Sequence, residues 1–416
     1  MSPTIDTLPL PLPLPRGEVC PFGPAPEVAE LREHSPVVKV TCPTGIDAWL
    51  VTRYADVREV LGDPARFSLR TGQAGHVLVN QPPDAEIEEG DFNRMDGQDH
   101  LRFRRVVAPA ITTVKRTELF RPLVQHRVDE LLDALAAETG PIDLHERFSN
   151  PLTSSVVAEL LDVPYADRHL FGNVATALFD ATTEVDDVDA AKSPLLDYVH
   201  ELVLQRMREP GDDVISVIAA KARAADHPFT ELELTKIAAG LLVAGFDTTA
   251  GIITYGVLAL LDSPEQFALL RDDPALAANA AEEILRLLSN GAGLMRVATV
   301  DTEIAGTAIA AGDFVVAAVQ GANHDPDQFT DADQLAVTRP RGAHLGFGYG
   351  PHQCPGQHIA RLELATVLGT LPRRIPSLRL AVPFDRIEFR TNTVVFGPAS
   401  LPVTWNEIRP AEQSGG

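Results

Sequence analysis

His344-Leu345-Gly346-Phe347-Gly348-Tyr349-Gly350-Pro351-His352-Gln353-Cys354-Pro355-Gly356 is the segment from which the reading of this 416-residue chain proceeds. Three glycines at alternating positions lead to a cysteine, and a fourth follows it. Glycine tolerates backbone angles and close approaches that a side chain forbids. Such a run lets a loop press against a flat surface and present one sulfur to it. Beyond Pro355 the pattern turns helical, with Ile359, Leu362, Leu364, Val367 and Leu368 apolar and Arg361 and Glu363 between them. Pro355 is expected in the first turn, where its missing N–H is not needed. Cys354 then stands at a helix N-terminus, whose dipole and free N–H groups favour a thiolate.

Composition narrows the function. The net charge of −23 excludes a nucleic-acid footprint, which must be basic, and disfavours an anionic membrane surface. Three cysteines, Cys20, Cys42 and Cys354, are too few for a disulfide framework and fit a reducing cytoplasm. No basic n-region followed by an apolar run opens the chain, so no signal peptide is expected. Residues 8–15 instead alternate Leu and Pro, which predicts an extended arm over 1–19. No Gly/Ser linker or charge run divides the rest of the chain. One domain over 20–406 and a short tail, 407–416, are therefore expected.

Val37–Thr41 and Trp49–Thr52 read as strands around a Pro43-Thr44-Gly45 turn, with a helix from Asp56 to Leu61. Residues 70–95 read as a long loop. Amphipathic helices are expected over 118–138, 151–162, 166–182 and 190–209. Asp96-Gly97-Gln98-Asp99-His100-Leu101-Arg102-Phe103-Arg104 places His100 and Arg104 on one helical face. Arg102, Arg105, Lys115 and Arg116 form a basic cluster on an acidic protein, a candidate docking surface for an acidic partner.

Thr230-Glu231-Leu232-Glu233 is a capping-box start. A proline-free run continues to Leu261, where Asp262-Ser263-Pro264 stops it. At 1.5 Å per residue the helix spans roughly 45–50 Å. It is apolar enough for a membrane, but Asp247 at its centre argues for a buried core helix. Asp247, Thr248 and Thr249, polar groups in an apolar helix, are functional candidates. Glu283 and Arg286 share a face of a later helix.

Phe347-Gly348-x-Gly350-x-His352-x-Cys354-x-Gly356 resembles the haem-ligand loop of the cytochrome P450 family. With it, Ala244-Gly245-Phe246-Asp247-Thr248-Thr249 resembles the family's oxygen-activation motif, and Glu283-x-x-Arg286 its signature ion pair, with Arg339 as third member. The resemblance covers residues 20–404 and implies a mainly α fold with small β-sheets and a long central helix over haem b. Cys354 would ligate the iron. His100, Arg104, Arg296, His344 and His352 would bind propionates, and Phe347, Gly348 and Gly356 would shape the ligand loop. Asp247 would relay protons and Thr248 would hydrogen-bond the activated oxygen, with small residues at 244 and 245 leaving it room. Glu283, Arg286 and Arg339 would support the fold, and Gly240, Val243, Ala244, Leu294 and Phe396 would line the substrate pocket, with segments 289–295 and 392–396.

The activity implied is insertion of one oxygen atom from O2 into a small-to-medium hydrophobic substrate in secondary metabolism, free or carrier-protein-bound. Electrons would come from a separate ferredoxin-type partner, to a cytoplasmic monomer without membrane or nucleic-acid partners. Epoxidation, ring coupling and nitration share these motifs. A non-enzymatic haem-thiolate sensor shares the loop but has no need of Asp247 and Thr248. Zinc is a further reading of His344, His352, Cys354 and His358, although their spacing is poor for a tetrahedral site and leaves the glycines without a role. Two departures stand out. His324 occupies a position where Arg is usual, and Pro355 follows the cysteine where an aliphatic residue is common.

Overall fold

The computed structural model describes residues 9–12, 14, 21–42, 45–69, 89–111, 113–180, 182–289, 291, 293–391, 393 and 395–411, with the side chains of 114–116 excepted. Most of the expected N-terminal arm, residues 70–88 of the expected loop, the side chains of Lys115 and Arg116, and Asn392 lie outside these.

The architecture is mainly helical with small sheets, as the resemblance implies. β-Branched and apolar side chains concentrate where the one larger sheet forms. Its strands are β1 (Leu10–Pro11), β2 (Val37–Thr41), β3 (Asp47–Val51), β4 (Phe67–Ser68), β5 (Leu294–Ala298) and β6 (Phe314–Ala317), in the spatial order β1-β2-β3-β6-β5-β4. The β2–β3 hairpin is antiparallel with Val37 opposite Val51, and β1 and β6 add parallel to it. Part of the Leu-Pro run thus becomes an edge strand, Leu10 opposite Val40, a position that tolerates proline.

The helices that position the site are α1 (Gly97–Ile111), α2 (Asn150–Leu160), α3 (Arg168–Phe179), α4 (Val185–Arg208), α5 (Glu231–Asp262), α6 (Ala277–Leu287) and α7 (Gln357–Arg374). α5 starts where the sequence predicts: Thr230 Oγ1 accepts from the N–H of Glu233 at 3.1 Å, and Glu233 Oε2 accepts from the N–H of Thr230 at 2.9 Å. It runs for 32 residues and packs against α2, α3 and α4 on one side and α7 on another. Every residue from Thr249 to Leu260 is buried. α5 is long and apolar enough to cross a membrane, but protein, not lipid, covers it, and it is a core helix.

Candidate active site

The glycine run is wedged between two helices. A Cβ on Gly346 would stand 2.5 Å from the carbonyl of Leu285 in α6. Gly350, at φ +75°, would put one 2.6 Å from the carbonyl of Leu61. Only glycine allows this approach. Within the loop the N–H of Cys354 donates to the carbonyl of Phe347 at 2.9 Å, and Arg104 Nη1 donates to that of Gln353 at 2.9 Å. The Phe347 ring carries the Arg361 guanidinium 4.5 Å from its centroid.

Pro355 does not enter the first turn as predicted. α7 begins at Gln357 with Gly356 as N-cap, so Pro355 precedes the helix. The reason is local: the sulfur takes its backbone hydrogen bonds from Gly356 and Gln357, and a residue without an N–H stands between it and them. Burial pushes the Cys354 thiol up; Gly356, Arg104, Arg361 and Gln357 pull it down without cancelling burial. Burial is thus opposed at the sulfur by two backbone N–H groups and two guanidinium groups.

A cationic cluster gathers beside this loop. The rings of His100 and His352 stack at 3.9 Å between centroids. His352 Nε2 lies 2.7 Å from Asp96 Oδ1, while Asp96 Oδ2 accepts from Ser68 Oγ at 2.5 Å and from the N–H of Leu69 at 2.8 Å. Burial raises Asp96, but these bonds win and hold it at about 2. Burial, then His352 and Arg104, push His100 down to about 4. Arg296, on β5 and 4% exposed, donates to the carbonyl of Met295 at 2.8 Å; burial lowers it to about 10. Among the described residues it pairs with no carboxylate. A buried guanidinium without a counter-anion is costly, and an anionic ligand group would relieve that cost.

His344 does not join this cluster. Its Nε2 lies 2.9 Å from Glu282 Oε2, and its Nδ1 accepts from the N–H of Gly346 at 3.1 Å, so both ring nitrogens are taken. Glu282 also accepts from Arg361 Nε at 2.7 Å. The expected propionate role of His344 is thus corrected: it ties the ligand loop to α6. Glu283, Arg286 and Arg339 do come together, Arg286 Nε at 2.8 Å and Arg339 Nε at 3.0 Å from the carboxylate. His324 holds Asp333 through Nδ1 at 2.7 Å and the carbonyl of Leu287 through Nε2 at 2.9 Å, occupying the place of the usual Arg with two opposed bonds.

On the other side, within α5, Ala244 is exposed and Gly245 to Thr248 are half-buried, between the buried pairs Leu242-Val243 and Thr249-Ala250. Thr248 Oγ1 donates to the carbonyl of Ala244 at 2.7 Å, a side-chain bond that bends helices. Gly245 does not serve as oxygen space: a Cβ there would strike Val157 of α2 at 2.8 Å. Gly240 likewise faces Phe92, 3.0 Å from such a Cβ, so it is a packing position. Val243 is buried, and Leu294 lies beside Gly348. Phe396 stacks on Phe389 at 5.4 Å. Asp247 meets Arg390, whose Nη1 lies 2.9 and 3.1 Å from its two oxygens.

Asp96, Glu282, His145 and Arg390 escaped the sequence reading. Each meets its partner across at least 60 residues, and no local spacing announces that. Arg102 is no free docking charge either. It bonds Glu233 and the carbonyls of His227 and Pro228, and it lies over the Phe229 ring.

The fit to haem rests on this donor set. One sulfur on a glycine-cleared loop, with buried cations beside it, suits a macrocycle that brings its own equatorial ligands and two carboxylates. A tetrahedral zinc site needs more ligands. His344 and His352 are turned to different carboxylates, and among the described residues no three His, Cys, Asp or Glu side chains group to hold a metal.

Comparison with known proteins agrees. The cytochrome P450 family model matches residues 201–375. Cytochrome P450-SU2 of Streptomyces griseolus is 40% identical over 95% of this chain and 97% of its own length. Mycinamicin IV hydroxylase/epoxidase of Micromonospora griseorubida is 38% identical over 90% of this chain and 94% of its own. The crystal structure of CYP105P1 in complex with filipin I superposes with a TM-score of 0.89 at 39% identity, covering 95% of this chain and 98% of that one. The chain belongs to the cytochrome P450 family. It is a haem-dependent oxygenase, an oxidoreductase whose relatives act in bacterial secondary metabolism.

Proposed function

We propose that this protein is a haem b monooxygenase that hydroxylates a small-to-medium hydrophobic metabolite, free or carrier-bound, in the cytoplasm. Residues 20–406 act as one catalytic domain, in a monomer, with electrons from a ferredoxin-type partner. The observation that carries the reading is Arg296, a buried cation that makes no ion pair among the described residues, within electrostatic reach of the Asp96 that holds His352 of the Cys354 loop. Bound haem supplies the oxygen-activating chemistry, electron-rich from its thiolate ligand. Cys354 is the iron ligand. Arg296 and Arg104 neutralise the propionates, and His100 and His352 bind them by hydrogen bonds. Phe347, Gly348 and Gly356 keep the loop thin, and Glu283, Arg286 and Arg339 brace it from behind. Val243, Ala244, Leu294 and Phe396 line the pocket. Thr248 hydrogen-bonds at the reacting oxygen, and Asp247 brings the proton to it. Epoxidation is the second reading, favoured by the name of the Micromonospora relative; product mass does not separate it from hydroxylation of a saturated carbon, whereas loss of an olefinic NMR signal does.

The test is the reduced, CO-bound spectrum of the purified protein beside Cys354→Ser. The expected result is a red-shifted thiolate band in the wild type, absent from the variant. A wild type that binds haem without that band would overturn the assignment of Cys354.

A further inference from the structure

Behind Asp247 stands a residue that no motif includes. His145 opens a π-helical turn, His145–Ser149, immediately before α2. Single π turns of this kind recur at functional sites. Its backbone is fixed: Asp143 Oδ1 accepts from the N–H of His145 at 2.9 Å and from that of Leu401 at 2.9 Å. The ring is 5% exposed and bridges two elements. Nδ1 lies 3.0 Å from Thr254 Oγ1 on α5, and Nε2 lies 3.2 Å from Arg390 Nη2.

The hydrogen-bond inventory settles the roles. A guanidinium only donates, so Nε2 accepts and the proton sits on Nδ1. Thr254 Oγ1 passes its own hydrogen to the carbonyl of Ala250 at 2.9 Å and accepts from Nδ1. A cationic ring could not accept from Arg390 at all. Burial, with Arg390 next, pushes His145 down, in the same direction. Arg390 is held at its backbone too, its N–H donating to the carbonyl of Gly397 at 2.9 Å. Its remaining hydrogen bonds go to Asp247.

A guanidinium does not give up its proton at physiological pH, so Asp247–Arg390–His145 is a clamp and not a proton wire. We infer that His145 is a positioning residue for oxygen activation: as the neutral, Nδ1-protonated ring it holds Arg390 against Asp247 and so sets where that carboxylate stands when it delivers protons. The inference rests on the proposed role of Asp247. Arg390 adjoins Phe389, which stacks on Phe396, so the clamp also joins the pocket-lining segment to the acid.

The test uses the haem-loaded protein with spinach ferredoxin and its reductase, O2 and NADPH, without organic substrate. The readouts are the NADPH oxidation rate and its ratio in H2O and D2O, for wild type, Asp247→Asn, His145→Leu and His145→Gln. Haem content and the CO band serve as controls for folding. Asp247→Asn and His145→Leu are expected to slow oxidation by on the order of tenfold and to enlarge the isotope ratio. His145→Gln, whose amide oxygen still accepts from Arg390, should stay within about twofold of wild type. A slowed Asp247→Asn beside a wild-type His145→Leu would overturn the inference and leave the role of Asp247 standing; so would a His145→Gln as slow as His145→Leu. A wild-type Asp247→Asn would overturn both. Nitrogen-15 NMR of histidine-labelled protein, assigned with His145→Gln, gives a readout free of activity: a neutral ring protonated on Nδ1 is expected, and a cationic or Nε2-protonated ring would overturn the clamp.

Discussion

Glu282 shows what one carboxylate does at this site. It receives His344 Nε2 at 2.9 Å and Arg361 Nε at 2.7 Å, from the two ends of the cysteine loop region. Burial pushes its carboxyl toward the neutral acid, but His344 and Arg361 outweigh burial and hold it at about 2. A depressed carboxyl stabilises the fold above its ordinary value, about 4.3, and that contribution is lost as pH falls through the folded value. Glu282→Gln is therefore expected to be less stable at neutral pH by about 2 kcal/mol, with solvent screening discounted. It should also lose less melting temperature than wild type between about pH 4.5 and 2. Thermal unfolding followed by circular dichroism across that window checks both; parallel curves would remove Glu282 from the acid response. At the same scale, His344 and His352 both precede Cys354 by ten residues or fewer, and the resemblance gives both the same role. Only the side chains they meet, Glu282 and Asp96, separate a loop tie from a member of the cationic cluster.

α5 is legible at both ends because its boundaries are made by neighbours in sequence. Thr230 and Glu233 exchange bonds three residues apart, and Ser263-Pro264 closes the other end. Thr230→Ala is expected to cost about 1 kcal/mol, read as a shifted midpoint in urea unfolding with an unchanged slope; an unchanged midpoint would mean that Arg102, which grips Glu233 at 2.9 Å, holds the terminus without the cap. What α5 does at its centre is less legible. Residue types around Asp247 announce a functional segment, but not that Gly245 makes room for Val157 and not for oxygen, nor that Asp247 answers to Arg390. The helical period places a side chain on a face; the element facing it is chosen by the tertiary fold, 88 residues away for Val157 and 143 for Arg390. Pro355 departs from expectation for a nearer reason. Local rules put proline inside a first turn, whereas the demand of the sulfur for two N–H donors moves the helix start to Gln357.

At the scale of the whole molecule, the cysteine loop has few bonds of its own and borrows rigidity from a segment far from it in sequence. Arg286, 2% exposed on α6, grips Glu283 through Nε and Nη2, and its Nη1 donates to the carbonyls of Asn323 and Ala332, each at 2.7 Å. Asn323 in turn donates to Ser289 Oγ at 2.6 Å and accepts from the N–H of Leu345 at 2.7 Å, nine residues before the sulfur. Arg286, Asn323 and Leu345 thus form a chain of hydrogen bonds from the back of the molecule to the ligand loop. Removing the guanidinium leaves Glu283 to Arg339 alone and strands two buried carbonyls. Arg286→Ala is expected to cost about 3–5 kcal/mol, while Arg286→Lys, which keeps the charge but not the planar fork, should recover only part of it. Urea unfolding measures the first quantity and haem content after purification the second. If the chain of bonds is what stiffens the loop, haem retention falls in the order wild type, Arg286→Lys, Arg286→Ala. An Arg286→Ala protein that unfolds earlier yet keeps full haem and an intact thiolate CO band would mean that the wedge at Gly346 and Gly350 suffices to hold the loop, and that the buried ion pair serves the fold alone.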